Sequence, residues 1–372
     1  MQADSEQQSG SGRYFRPELD VLRFIAFLMV FFHHILPRNP EPHVLSAGAG
    51  SFLADVCGFG LSLFFFLSAY LITKLLLLER GRTATIHLGS FYVRRVLRIW
   101  PLYFFGLAIG IVFAILWADR SDLAMLGHYA IFIGNFWFLD RPWSANPMTP
   151  LWSLSIEEQF YLVIPCLLLW GGRRGALFAG AAFVAISIVA LFLEGNAHWP
   201  IDTAIWANTP SQMIFFGAGI LCAAGIKEPA RKDYIISGAL IAIGTALLFA
   251  AALTGAKRVA DAPSGIPVAA GYALAAAACV FLLYGFLTSK IVFSDMLLYL
   301  GKISYGLYVY HLLVLKLFDW GLPLAPDFLR HDSTKLLALI PIGLVAHLSY
   351  RYLETPFLHL RRRFTFVQNR PV

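Results

Sequence analysis

Charge is what this chain has least of: Asp, Glu, Lys and Arg supply 14% of its 372 residues, where a soluble domain carries roughly 25%. With 58% hydrophobic residues and a mean hydropathy of +0.67, that shortage excludes a large water-soluble core and indicates a polytopic membrane protein. Cysteine is scarce too. Cys57, Cys166, Cys222 and Cys279 lie far apart, in or beside apolar runs and without C-x-x-C spacing. They read as reduced packing residues, not as zinc ligands or a disulfide frame, and no metal is expected. The net charge of +7 comes with no nucleic-acid motif and no basic helix interleaved with aromatics, so nucleic acid is not an expected partner. No cleavable leader is expected, because Glu18 and Asp20 interrupt the basic start and no small-residue cleavage site follows.

What is present is a series of apolar runs. Residues 1–12 are Ser/Gly/Gln-rich and read as disordered. Ten segments long enough to span follow: 21–36, 58–78, 99–118, 153–170, 176–194, 211–226, 234–254, 267–288, 297–317 and 336–353. With the N-terminus cytoplasmic, 18 of the 29 Lys and Arg fall on inner stretches and seven on outer ones, which favours an even number of spans with both termini cytoplasmic. Residues 119–152 are too aromatic for a solvated loop, yet Gly134, Pro142, Pro147 and Pro150 forbid a full span. They read as a re-entrant or interfacial lid against protein. The expected fold is therefore an all-α polytopic membrane protein with about ten transmembrane helices. Its parts are a cytoplasmic tail (1–20), a membrane domain (21–353) and a basic cytoplasmic tail (354–372).

Ionisable side chains are costly at membrane depth and usually mark a reaction or transport path. The stretch RPELDVLRFIAFLMVFFHH starts polar at Arg16 and turns apolar, with Arg23 near one end and His34 at the other. At about 100° and 1.5 Å per residue, the two share nearly one helix face, roughly 16 Å apart. They line one stripe, or Arg23 snorkels to the interface and His34 caps the far end. In FYVRRVLRIWP, Arg95 and Arg98 share a face with Arg94 beside them. Three guanidinium groups suit a phosphorylated ligand; an anchor on anionic lipid is the commoner use of such a cluster.

LWSLSIEEQFYL places Glu157 and Glu158 at the start of an apolar helix, with Tyr161 one turn on from Glu157. One carboxylate is expected to face inward, within reach of His34, and interfacial solvation of both is the alternative. In SLFFFLSAYLIT, Ser68 and Tyr70 are polar within a helix and Ala69 permits close packing. In YLGKISYGLYVYHLLVL, Lys302 is followed by Ser304, Tyr308 and His311, which form a polar stripe; His311 is held as a lining residue. Arg351 and Glu354 are spaced to pair, and Arg361, Arg362 and Arg363 read as an anchor. Trp137, Trp143 and Trp152 fit either an aromatic belt or a sugar-stacking surface.

Taken in order, the ELD opening with Arg23 and His34 as R-x10-H, FFFLSAYLIT, RRVLRIWP, WSLSIEEQFYL, GKISYGLYVYH and ETPF resemble acyltransferase family 3. These are multi-span membrane O-acyltransferases that modify polysaccharides, Nod factors and macrolides. The resemblance runs from Arg16 to about Phe357, with Ala69 where the family usually has glycine, and the expected form is the stand-alone one without an SGNH-type domain. It implies His34 as catalytic histidine with Arg23 as motif partner, Arg95 and Arg98 as the acyl-CoA element, and Glu157 as the acidic position. It also implies acetyl-CoA or another acyl-CoA as co-substrate, with no permanently bound cofactor. A carbohydrate or lipid-linked glycan is the expected acceptor and a bacterial inner membrane the expected location; a macrolide-type acceptor and homo-oligomerisation are left open. The competing function is a transporter or flippase for a polar lipid or glycan precursor, though the inverted repeats it calls for are not visible. An inactive sensor or scaffold comes third.

Overall fold

Every described element of the computed structural model is helical. It describes residues 14–36, 47–117, 120–197, 202–256, 264–321 and 332–367, so residues 1–12 and the last of the basic tail lie outside it. Helix α1 (Pro17–Ile35) has proline at its first position, Glu18 and Asp20 in its first turn and His33 and His34 in its last, each favourable to the helix dipole. Helices α2 (Ala47–Gly58) and α3 (Gly60–Thr83) follow one another through Phe59. Helix α4 (Leu88–Leu116) contains Pro101, and α5 (Arg120–Ala130) is short. Then come α6 (Trp152–Asn196), α7 (Asp202–Ala207), α8 (Thr209–Gly225), α9 (Tyr234–Leu253) and α10 (Gly265–Thr288). Asp233 caps α9 by accepting from the amides of Ile235 and Ile236 at 2.8 and 3.0 Å. Helices α11 (Asp295–Lys302), α12 (Ser304–Gly321), α13 (Leu339–Ser349) and α14 (Thr355–Arg361) complete the set, with a π-helical turn, Tyr350–Glu354, before α14.

Among the described residues, six helical stretches are long and apolar enough to cross a membrane, seven if α11 and α12, bent by 71°, count as one span. Large apolar side chains face outward from them: Phe178, Ile235 and Leu253 are 77%, 84% and 76% exposed, which water would penalise and lipid would not. This defines an all-α integral membrane protein. The ten expected segments are met in part. Segments 153–170 and 176–194 both fall within α6, on either side of Gly172, whose φ of +53° breaks the helix. A Cβ on Gly175 would lie 2.8 Å from the Leu167 carbonyl oxygen, so the chain doubles back there. Helix α8 has only 17 residues, and α1 carries three charges in its first half.

Packing is densest between α6 and α8, α9 and α10, and α3 and α8. Ala69 is fully buried on the α3 face that meets Gly219 of α8, the close contact its size predicts. Helix α11 presses on the start of α1. A Cβ on Gly301 would stand 2.0 Å from the Asp20 carbonyl oxygen, so glycine is required for the approach. The four cysteines are free, with Cys222 and Cys279 buried.

The aromatic segment after α5 folds as short 3-10 turns at Gly134–Leu139 and Thr149–Leu151. Its buried polar groups are satisfied from within the protein, as irregular backbone at depth demands. Asn146 donates to the Gly110 carbonyl at 3.1 Å and to Asp122 at 3.0 Å, and Tyr129 donates to the Thr149 carbonyl at 2.8 Å.

Candidate functional site

Where α1, α3, α4, α6, α11, α12 and the last helices converge, they leave a cavity of about 150 Å³. Its cations come from four directions: Arg23 from α1, Arg95 and Arg98 from one face of α4, Lys302 from α11 and Arg361 from α14. The one carboxylate among the lining side chains is Glu157. Glu157 is fixed at both oxygens, accepting from Ser68 at 3.0 Å and from Tyr161 at 2.8 Å. The guanidinium of Arg95 lies 5.8 Å from the ring centres of both Phe91 and Tyr161, and its buried Nε has no hydrogen-bond partner among the described residues. Arg23 is 3.5 Å from Asp20, and Lys302 stands over the Tyr350 ring at 5.2 Å. Among the described residues, no carboxylate lies within ion-pair distance of Arg95, Arg98, Lys302 or Arg361. Several unpaired cations around one space are unfavourable until an anion shares it. Leu61, Phe64, Phe65 and Leu71 of α3 add apolar surface to the lining.

Of the residues singled out from sequence, Arg23, Ser68, Arg95, Arg98, Glu157, Tyr161, Lys302, Ser304 and Tyr308 line this cavity together. Five do not. Arg94, one residue off the Arg95/Arg98 face, pairs with Glu79 at 2.7 Å and donates to the Phe364 carbonyl at 2.6 Å. It lines a smaller cavity that shares Arg95 and Arg361 with the first. Glu158 points away, with one buried oxygen unbonded among the described residues. Tyr70 donates to Glu228 at 3.1 Å, on another face of α3.

His34 and His311 lie beyond the cavity and are reached along the predicted stripe of α12. Ser304 and Tyr308 line the space. One turn on, the His311 ring is 5.5 Å from Tyr308 and 5.1 Å from His34. Tyr308 Oη meets Ser153 Oγ at 2.7 Å. His34 is exposed in the last turn of α1.

Sequence reasoning missed Arg361, Ser153, Tyr305 and Tyr350, all lining residues. Arg361 heads a run of three arginines, and nothing in the run says which one turns inward. The expected Arg351–Glu354 pair does not form: Arg351 is exposed over the Tyr352 ring, at 5.6 Å, while Glu354 is buried. The π-turn adds a residue and rotates the two apart. Of the three tryptophans, Trp143 is half-exposed and 5.3 Å from the buried Trp152, and Trp137 carries Arg141 over its ring at 4.2 Å.

A clamp holds the start of α1. Glu228 pairs with Lys74 at 3.0 Å and accepts from Tyr14 at 2.8 Å, Arg16 Nε at 2.8 Å and Tyr70. Burial alone would push the Glu228 carboxyl up, but the charges of Arg16 and Lys74 hold it below its ordinary value of 4.5. A depressed carboxylate pKa contributes stability that is present above pH 4.5 and lost as pH falls through the lowered value. Thermal unfolding should therefore show the wild type losing an advantage over Glu228→Gln as pH drops below about 4.5, with the two curves converging in acid.

An all-helical membrane protein with a cation-lined internal cavity is the class these features define. The family described as an acyltransferase domain matches residues 16–348, so the chain belongs to acyltransferase family 3. It is 27% identical over 379 residues to a Staphylococcus aureus (strain MSSA476) protein named "Putative O-acetyltransferase", covering 92% of this chain and 57% of that one. It is 27% identical over 376 residues to O-acetyltransferase OatA of Staphylococcus aureus (strain NCTC 8325), covering 93% and 57%. The chain thus spans little more than half the length of these relatives. No solved structure matches it.

Proposed function

We propose that the chain is an O-acyltransferase that moves an acyl group, acetyl first among them, from cytoplasmic acyl-CoA to a hydroxyl of a carbohydrate or glycoconjugate. The observation that carries this reading is the cavity: five cations face one hydrogen-bonded carboxylate, and a polar stripe continues from it to two imidazoles. Acyl-CoA offers phosphates to Arg95, Arg98 and Arg361 through charge-assisted hydrogen bonds, and its thioester arm extends along the cavity. His34 removes the proton from the acceptor hydroxyl. The hydroxyl oxygen attacks the thioester carbonyl, the C–S bond breaks, and the CoA thiolate leaves with the electron pair and recovers the proton from His34. Arg23 and Lys302 offer positive charge to the developing oxyanion or to the donor. In this reading both termini are cytoplasmic, ten spans cross a bacterial inner membrane, and no cofactor is held permanently. Residues 354–372 then form a cytoplasmic tail.

The test is release of CoA thiol from acetyl-CoA by the purified protein in detergent, with and without added oligosaccharide. Turnover is expected, and faster with a hydroxyl acceptor. A protein that binds acetyl-CoA but never cleaves the thioester would overturn the reading in favour of transport.

A further inference from the structure

Two hydroxyls of the cavity lining, Ser153 at the start of α6 and Tyr308 in α12, belong to residues only 2% and 8% exposed. Their oxygens lie 2.7 Å apart. Each also reaches the Pro150 carbonyl oxygen, Ser153 Oγ at 3.0 Å and Tyr308 Oη at 3.2 Å, where the 3-10 turn Thr149–Leu151 presents it. A carbonyl oxygen only accepts, and each hydroxyl has a single proton to give. The protons run from Tyr308 through Ser153 to the carbonyl, or from Ser153 through Tyr308 to it. In either order both are spent inside the triangle, and the two hydroxyl oxygens have only lone pairs left for anything in the cavity. Three other lining hydroxyls spend their protons in the same way. Ser68 and Tyr161 donate to Glu157 at 3.0 and 2.8 Å, and Tyr305 donates to the Ile99 carbonyl at 2.9 Å.

The lining therefore offers two kinds of contact: five cations, which donate and cannot accept, and hydroxyl oxygens left only to accept. A ligand that meets both is anionic in one part and carries hydrogen-bond donors in another. A hydroxyl group both donates and accepts, and gains nothing from oxygens stripped of protons. An ammonium group donates only, but the cations repel it. An amide N–H donates only and is neutral. We propose that the Ser153–Tyr308 pair, held on the Pro150 carbonyl, is a binding subsite that accepts an amide N–H of the pantetheine arm of acyl-CoA. The proposal rests on the reading of acyl-CoA as donor. Such a molecule has phosphates at one end, a thioester at the other and amides between, so a single ligand meets the cations and the accepting oxygens together. The contact fixes how far the arm enters, and with it where the thioester carbonyl stands. No bond of the pair changes during transfer.

The experiment is calorimetric binding of CoA, and of adenosine 3′-phosphate 5′-diphosphate, to the full-length protein in detergent. The second ligand keeps the phosphates of CoA and lacks its arm. Tyr308→Phe leaves Ser153 on the Pro150 carbonyl, so no buried group is orphaned. It should weaken CoA about 3–10-fold and leave the nucleotide within about twofold. Ser153→Ala combined with Tyr308→Phe should weaken CoA by about 10-fold or more, again sparing the nucleotide. Arg95→Ala with Arg98→Ala should weaken both ligands, since both carry the phosphates. Unchanged CoA affinity in the double hydroxyl variant would overturn the proposal. A parallel loss of CoA and nucleotide would overturn it as well, because that is the mark of a disturbed fold. So would a loss seen only in turnover with added oligosaccharide, which would give the pair to the acceptor. A wild type that binds CoA through these hydroxyls but never releases thiol from acetyl-CoA would instead remove the transfer reaction and leave the contact in place.

Discussion

Replacing His34 with alanine should lower thiol release from acetyl-CoA by about 10²–10⁴, the range that general-base assistance supplies. The size of the effect is interpretable because the substitution leaves the buried face of α1 unchanged. His34 is exposed in the last turn of α1, and alanine is the better helix former. The buried residues that hold α1, Leu22, Ala26, Phe27 and Phe31, do not depend on it. Circular dichroism and thermal unfolding of the variant should therefore match wild type while turnover collapses. A variant that folds and still turns over at wild-type rate would show that the base lies elsewhere.

The second large effect is expected at the cations. Arg95→Ala combined with Arg98→Ala should raise KM for acetyl-CoA by about 10²-fold or more, since each charge-assisted hydrogen bond is worth about 1.5–3 kcal/mol. The change should fall on KM more than on kcat, as happens when binding common to ground and transition states is removed. Lysine at both positions should recover only part of the affinity, because the planar guanidinium fork matches phosphate where a point charge does not. Removing two of the five cavity cations also relieves their mutual repulsion, so the double variant should unfold no earlier than wild type. An unchanged KM would mean that the donor does not use this wall.

The all-helical membrane architecture was legible in composition and hydropathy alone, since an apolar chain with so little charge has few other ways to satisfy its backbone. Much of the cavity was legible as well. A polar side chain placed in an apolar helix announces itself, and Arg23, Glu157, Lys302 and Tyr308, found that way, line one space. Arg94 reads from sequence as a third member of the Arg95 and Arg98 group, because nothing in the run hints that Glu79 would claim it. The two apolar segments 153–170 and 176–194 are separated at Gly172, whose positive φ breaks the helix, but hydropathy records length and gives no sign of the torsion that turns one against the other.

The order of apolar and ionisable residues thus determined that the chain is a helical membrane protein and which of its side chains are chemically costly. Which of them meet was decided only by packing. Contacts between distant helices turned Arg361 inward and Arg351 outward, and brought His311 of α12 against His34 of α1. The physical reason is that periodicity fixes the direction of a side chain around its own axis, whereas the partner it finds depends on how close neighbouring axes come. That approach is set by positions such as Gly301 against Asp20, hundreds of residues apart in the chain.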